Sequence, residues 1–351
     1  MELNIENSLR RGKSLVNLGN FADAEKLYEK VLEKYPQNNR VKIELQKIKN
    51  KINPETQKQF KIIFEQLINL YQTGQQKLIL EKSPELLKYF PDEPKLLNIL
   101  GATYANLKHN DDAIKFYKKS IKLDVNNIEV LNNIGILYRD MRQFENSLKY
   151  FNKAISLNDK VASTHNNLGT LYAFTKNLDN AEKYFKNSIK LDSNFLDAYL
   201  NLGSLYFDKL DFDPALYYFK KIIKKDTSYF FMNIVFEKMG LIFKEKGDTE
   251  KAIEYLNKSL SIKDNPAVYN NLGHLYFTLK SWHVAKQNFL KAFNLNSKKA
   301  LYAYNIACCD YELNNEKDAI IFLEKAIDLN PNYEQAVHLL SSIKIFYTKK
   351  P

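Results

Sequence analysis

The strongest constraint on this chain is a period. The stretch Leu131-Asn132-Asn133-Ile134-Gly135-Ile136-Leu137-Tyr138 returns as His165-Asn166-Asn167-Leu168-Gly169-Thr170-Leu171-Tyr172. It returns again as Tyr199-Leu200-Asn201-Leu202-Gly203-Ser204-Leu205-Tyr206 and as Tyr269-Asn270-Asn271-Leu272-Gly273-His274-Leu275-Tyr276. From Asn133 to Asn167 to Asn201 the step is 34 residues each time. Self-similarity at that period belongs to stacked helical hairpins, in which each unit is too small to bury its own apolar face and leans on its neighbours. Such an array carries 351 residues as one elongated unit rather than as two or three globular domains.

The register places units at 5–38, 60–93, 94–127, 128–161, 162–195, 196–229, 233–265, 266–299 and 300–333, about nine in all. Residues 39–59 lack the motif. There Val41, Leu45, Ile48 and Ile52 make a single apolar stripe, predicting one amphipathic helix, and Asn53-Pro54-Glu55 reads as the start of the next. The unit at 60–93 is degenerate, holding Leu67 and Ile79 where most copies have Gly and Ala. Pro84 falls inside its second helix and predicts a kink, or a restart capped by Ser83. Residues 230–232 are an insertion, and 334–347 read as a final helix capping the array.

Within each unit two apolar helical patterns flank a short turn. Gly at position eight (Gly101, Gly135, Gly169, Gly203, Gly240, Gly273) lies in mid-helix, where it costs about 1 kcal/mol against Ala. A cost repeated this often implies close approach of the backbone of the paired helix. Position twenty is small (Ala113, Ser147, Ala181, Ala215, Ala252, Ala285, Ala319), and positions eleven and twenty-four are mostly aromatic, as in Tyr138 and Phe151. These positions read as core.

Leu or Ile, Gly, Tyr, then Ala and an aromatic, at a 34-residue period, resembles the tetratricopeptide repeat. The resemblance covers nearly all of the chain except 39–59, and it is similar to the repeat half of O-linked N-acetylglucosamine transferase and to bacterial repeat arrays that precede transferase domains. It implies an all-α, right-handed superhelical solenoid, with first helices lining a concave groove and second helices outside.

Asn stands at position six in five units, as Asn133, Asn167, Asn201, Asn271 and Asn305, more often than composition accounts for. Duplication would copy it whether or not it is used. By the family geometry this position faces the groove, where an amide can donate and accept with a peptide backbone whatever its side chains. Asn98, Asn132, Asn166 and Asn270 at position five, with Thr170, Ser204, His274 and Cys308 at position nine, complete a neutral polar lining. A chaperone-type clamp of Lys at position two with Asn or Arg at position six is absent, since Lys95 goes with Ile99 and Glu129 with Asn133. The groove is expected to break at 233–265, where Phe230-Phe231-Met232 intrude and Lys238 replaces the amide.

Net charge is +11, but the lysines are dispersed over second helices and following turns, which argues for a solvated outer face over a nucleic-acid track. Cys308 and Cys309 are adjacent and cannot form an ordinary disulfide with each other. The N-terminus lacks a secretory signal and no apolar run reaches membrane-spanning length, so the expected location is cytoplasmic, without membrane insertion. Gly12-Lys13-Ser14 lacks the earlier glycine of a phosphate loop, and the five histidines show no metal spacing. No cofactor, metal or catalytic constellation is legible. The expected function is therefore a non-catalytic scaffold that binds an extended protein segment through an asparagine ladder. The alternatives are a substrate-presenting module of a glycosyltransferase, methyltransferase or sulfotransferase system, with a transferase as partner, and RNA binding.

Overall fold

Twenty α-helices and no strand make up the described residues, 4–17, 20–52 and 54–348, of the computed structural model. They are α1 (Ile5–Asn17), α2 (Phe21–Lys34), α3 (Asn39–Ile52), α4 (Pro54–Gln72), α5 (Gln76–Tyr89), α6 (Pro94–Asn106) and α7 (Asn110–Leu123). Next come α8 (Ile128–Asp140), α9 (Phe144–Leu157), α10 (Ala162–Phe174), α11 (Leu178–Leu191), α12 (Leu196–Asp208), α13 (Phe212–Lys225) and α14 (Met232–Glu245). The last are α15 (Thr249–Ile262), α16 (Pro266–Thr278), α17 (Trp282–Leu295), α18 (Ala300–Glu312), α19 (Glu316–Leu329) and α20 (Glu334–Thr348). The chain divides into two compact units, Met1–Leu171 and Tyr172–Pro351, and α10 runs unbroken across the division.

From α1 to α9, and again from α11 to α20, each helix packs on the next in sequence, and first helices of adjoining repeats also touch, α6 against α4 and α8, and α12 against α14. In the first unit α1, α2 and α3 share a core around Tyr28 and Val41, while α4, α5 and α6 share one around Leu67, Ile79 and Leu100. The second unit has a core around Phe219 and Met239, and another around Phe289 and Tyr302.

The position-eight glycines are not there for the backbone of the paired helix, as expected from the sequence. A Cβ on Gly135 would lie 2.4 Å from Cε1 of Phe151, and one on Gly273 would lie 2.4 Å from Cε1 of Phe289. The flat ring at position twenty-four occupies the space a side chain would need. At Gly240 partner backbone also comes close, with the Leu256 amide nitrogen 3.1 Å away behind its side chain. Position twenty stays small for the same contact, and Ser147 donates its hydroxyl to the Gly135 carbonyl at 2.7 Å.

Beside that contact, positions eleven and twenty-three stack in five successive repeats: Tyr104 on Phe116, Tyr138 on Tyr150, Tyr172 on Tyr184, Tyr206 on Tyr218 and Phe243 on Tyr255. Centroid separations of 5.3–5.7 Å are normal for offset stacking.

The turn between the two helices of a repeat needs a left-handed residue at position fifteen. Gly74 and Gly247 supply it, but Lys108, Arg142, Lys176, Leu210, Lys280 and Asn314 adopt the same positive φ. In the repeat at 196–229 the Asp211 amide donates to the Tyr206 carbonyl at 2.9 Å, and the Leu210 amide to the Phe207 carbonyl at 2.9 Å, closing the orphan carbonyls of α12.

Pro84 neither ends nor restarts α5. It has no N–H for the Leu80 carbonyl, four residues back, and the Ser83 hydroxyl donates to that carbonyl at 2.8 Å instead. Ser83 thus repairs the helix rather than capping a new one. Asn53, expected as the cap of α4, lies outside the described residues.

Candidate functional site

Positions five and six of the first helices do bring asparagines together, but chiefly onto one another. Asn133 Nδ2 donates to Asn98 Oδ1 at 2.9 Å, and Asn305 Nδ2 donates to Asn270 Oδ1 at 2.8 Å. Both bonds join position six of one repeat to position five of the repeat before it. Asn98 passes the contact on, its Nδ2 donating to Glu129 Oε1 at 2.7 Å.

Candidates differ in how far they reach the surface. Asn98, Asn133, Asn167 and Thr170 in the first unit are half-buried, as are Asn201, Ser204, Asn270, Asn271 and His274 in the second. Asn132, Asn166 and Asn305 are buried. Asn132 donates to the Thr164 hydroxyl at 2.8 Å, and Thr170 donates to the carbonyl of Asn166 in its own helix. Asn305 also faces His274 Nε2 at 3.3 Å, where only a neutral imidazole nitrogen can accept. Burial, with help from the Lys244 charge, holds the His274 pKa below its ordinary value and favours that neutral form. At position six of the repeat at 233–265, Lys238 lies over the Phe207 ring at 4.5 Å, so no amide is offered there. Met232 is buried as the first residue of α14, whereas Phe230 points into solvent.

One opening lies in the first unit. A cavity of about 740 Å³ runs along α4, α6 and α8. Its wall carries Asn98 and Asn133, and its rim Lys95, Lys108, Glu129 and Asp140. The expected neutral polar lining is corrected here, because much of the surface is apolar: Phe64 and Ile68 from α4, Ile99 and Ala102 from α6, and Ile136 from α8. In repeat register these are positions five, six and nine, the same positions as the asparagines and Thr170. They were missed because apolar residues at helical spacing read as core. The signal was present in position nine, which is apolar at Ile68, Ala102 and Ile136 but polar at Thr170, Ser204 and His274.

Other singled-out residues do structural work. His165 is buried, and its Nε2 lies 2.7 Å from the Asp159 carbonyl in the preceding turn. Tyr199, at the same position one repeat on, reaches the Ser193 carbonyl at 3.1 Å. Cys309 is buried and Cys308 half-buried, and burial pushes the Cys309 thiol up to about 12, which makes it a poor nucleophile. Among the described residues no group of His, Cys, Asp and Glu is arranged to hold a metal ion, and no helix is long and apolar enough to cross a membrane.

Family models described as tetratricopeptide repeat match residues 7–38, 94–127, 124–194, 197–227, 235–266, 266–299 and 300–333, well over half of the chain. The tetratricopeptide repeat-containing protein trd-1 of Caenorhabditis elegans is 25% identical over 107 residues, 30% of this chain and 14% of that protein. Anaphase-promoting complex subunit 7 of Dictyostelium discoideum is 28% identical over 106 residues, 30% of this chain and 18% of that protein. The matched stretch is thus a small part of either relative. Among solved structures, that of PilW, a widely conserved type IV pilus biogenesis factor, is similar in fold, with a TM-score of 0.54 at 17% identity over 61% of this chain and 98% of that one. With the 34-residue motif, the paired helices and these matches in hand, the chain belongs to the tetratricopeptide repeat family.

Proposed function

We propose that this chain is a non-catalytic scaffold that holds an extended segment of another protein against its first helices. The observation that carries the reading is the cavity along α4, α6 and α8, where three consecutive first helices contribute the same register positions to one opening with Asn98 and Asn133 on its wall. Asn133 uses one amide hydrogen on Asn98 and keeps its oxygen and second hydrogen for a backbone group. Neighbouring helices pack about 8–10 Å apart and an extended chain rises about 3.3 Å per residue, so one amide per repeat meets every second or third residue. Asn167 of the same unit is half-buried at the same position. Asn305, being buried, serves the seam between repeats instead.

The test uses a random dodecapeptide display library panned on the full chain, followed by affinity measurement on the enriched peptides. Replacing Asn133 and Asn167 with Ala should leave helicity by circular dichroism intact and weaken binding by about thirtyfold, at about 1 kcal/mol for each of the two hydrogen bonds. Unchanged affinity would remove the asparagine ladder from the function.

A further inference from the structure

The cavity of the first unit differs from the other candidate positions in the array. Position five is Phe64 in α4 where α6, α8 and α10 have Asn98, Asn132 and Asn166. Position six is Ile99 in α6 where the following repeats have Asn133 and Asn167. Position nine gives Ile68, Ala102 and Ile136 to the cavity before it turns polar at Thr170. Ile68 is 36% exposed, a large apolar side chain left in solvent beside half-buried amides.

The charges around this apolar floor balance. Lys95 and Lys108 stand on the rim with Glu129 and Asp140, two of each sign. Glu129 accepts from Asn98, and Asp140 pairs with Arg139 at 2.8 Å. A polyanion would meet two carboxylates, and a polycation two lysines. An uncharged ligand meets no like charge. Since the whole chain is +11, this local neutrality matters, because the global charge alone would favour nucleic acid.

Size sets the length of the ligand. Two helix-to-helix steps from α4 to α8 span roughly 16–20 Å, the length of about five or six extended residues. The cavity of about 740 Å³ runs open along that length.

We infer that this cavity takes an uncharged, extended peptide segment carrying a bulky aliphatic or aromatic side chain, which seats between Ile68, Ala102 and Ile136 while its backbone meets Asn133. The inference rests on the scaffold reading above and names the partner's chemistry. Peptides from the random dodecapeptide panning are sequenced, and their affinities for the full chain are read by fluorescence anisotropy. The variants Ile68→Gln and Ile136→Gln, each checked for helicity, are compared with wild type and with Asn133→Ala. The expected result is enrichment of Leu, Ile, Phe or Met among uncharged neighbours, a loss of about tenfold or more in either isoleucine variant, and little change between 50 and 300 mM salt. Polar peptides that respond to Asn133→Ala but not to the isoleucine variants would overturn the inference and leave the scaffold reading standing. Acidic peptides, or a labelled oligouridylate, binding with steep salt dependence would overturn it in favour of a charged ligand. Self-association by light scattering that Ile68→Gln abolishes would make a second copy of the chain the occupant. No enrichment of any peptide would remove both readings.

Discussion

At the level of single residues, volume is exchanged between position eight and position twenty-four. Gly12 faces the Tyr28 ring, Gly101 that of Tyr117, Gly203 that of Phe219 and Gly273 that of Phe289. In the repeat at 300–333 the two positions hold Ala307 and Leu323, both buried, and in the repeat at 60–93 Leu67 and Ser83, both buried, with large and small reversed. The degenerate repeat therefore departs from the motif in a compensated way. Gly135→Ala would place a methyl 2.4 Å from Phe151 Cε1. Overpacking of that kind costs about 1–3 kcal/mol, against about 1 kcal/mol gained in helix propensity, so a net loss of up to about 2 kcal/mol is expected in urea unfolding. Adding Phe151→Leu, which copies the Ala307–Leu323 arrangement, should recover most of that loss. An equal penalty from Gly135→Ala in both backgrounds would show that the ring is not what the glycine accommodates.

At the level of helices, the seams between repeats are held by polar groups at fixed register. Glu182 on α11 accepts from the Tyr206 hydroxyl at 2.8 Å and from Lys209 at 3.0 Å, both of the next repeat, and from Lys186 at 2.7 Å on its own helix. Burial alone would raise the Glu182 carboxyl, but these three donors outweigh it and hold the pKa at about 2. Three repeats later Lys286, at the same position, pairs at 2.5 Å with Asp310, which is buried where other repeats have an aromatic. Because the folded pKa of Glu182 lies below its ordinary value of 4.5, its contribution is complete above about pH 4.5 and fades as pH falls toward 2. Glu182→Gln should therefore lower stability at pH 7 and narrow the difference in stability between pH 7 and pH 3. Parallel acid dependence in wild type and variant would assign the acid sensitivity to other groups.

Much of this architecture was legible because glycine, with 10 copies in 351 residues, is rare enough to mark a register. The left-handed turn at position fifteen was not, since Lys108, Arg142, Lys176 and Leu210 adopt it without any residue-type signal. Periodicity located Asn133 and Asn305. It did not reveal that they bond to Asn98 and Asn270, because those bonds join two different register positions. Phe64, Ile68 and Ile136 were hidden by the usual rule that apolar helical positions are core, a rule that fails where three first helices leave a cavity open.

At the level of the molecule, stability is local. From α1 to α9, and again from α11 to α20, each helix leans on the next, so damage or ligand binding in one repeat should be felt mainly in adjoining ones. The binding surface assigned above lies on α4, α6 and α8, with Asn110 and Tyr117 of α7 at its edge, while α2 and α9 contribute nothing to its lining. Hydrogen–deuterium exchange of the full chain, with and without a peptide enriched by panning, resolves these helices directly. Added peptide should slow exchange in α4, α6 and α8 and leave α2 and α9 unchanged; slowing confined to α2 and α9, or to helices of Tyr172–Pro351, would contradict the assignment.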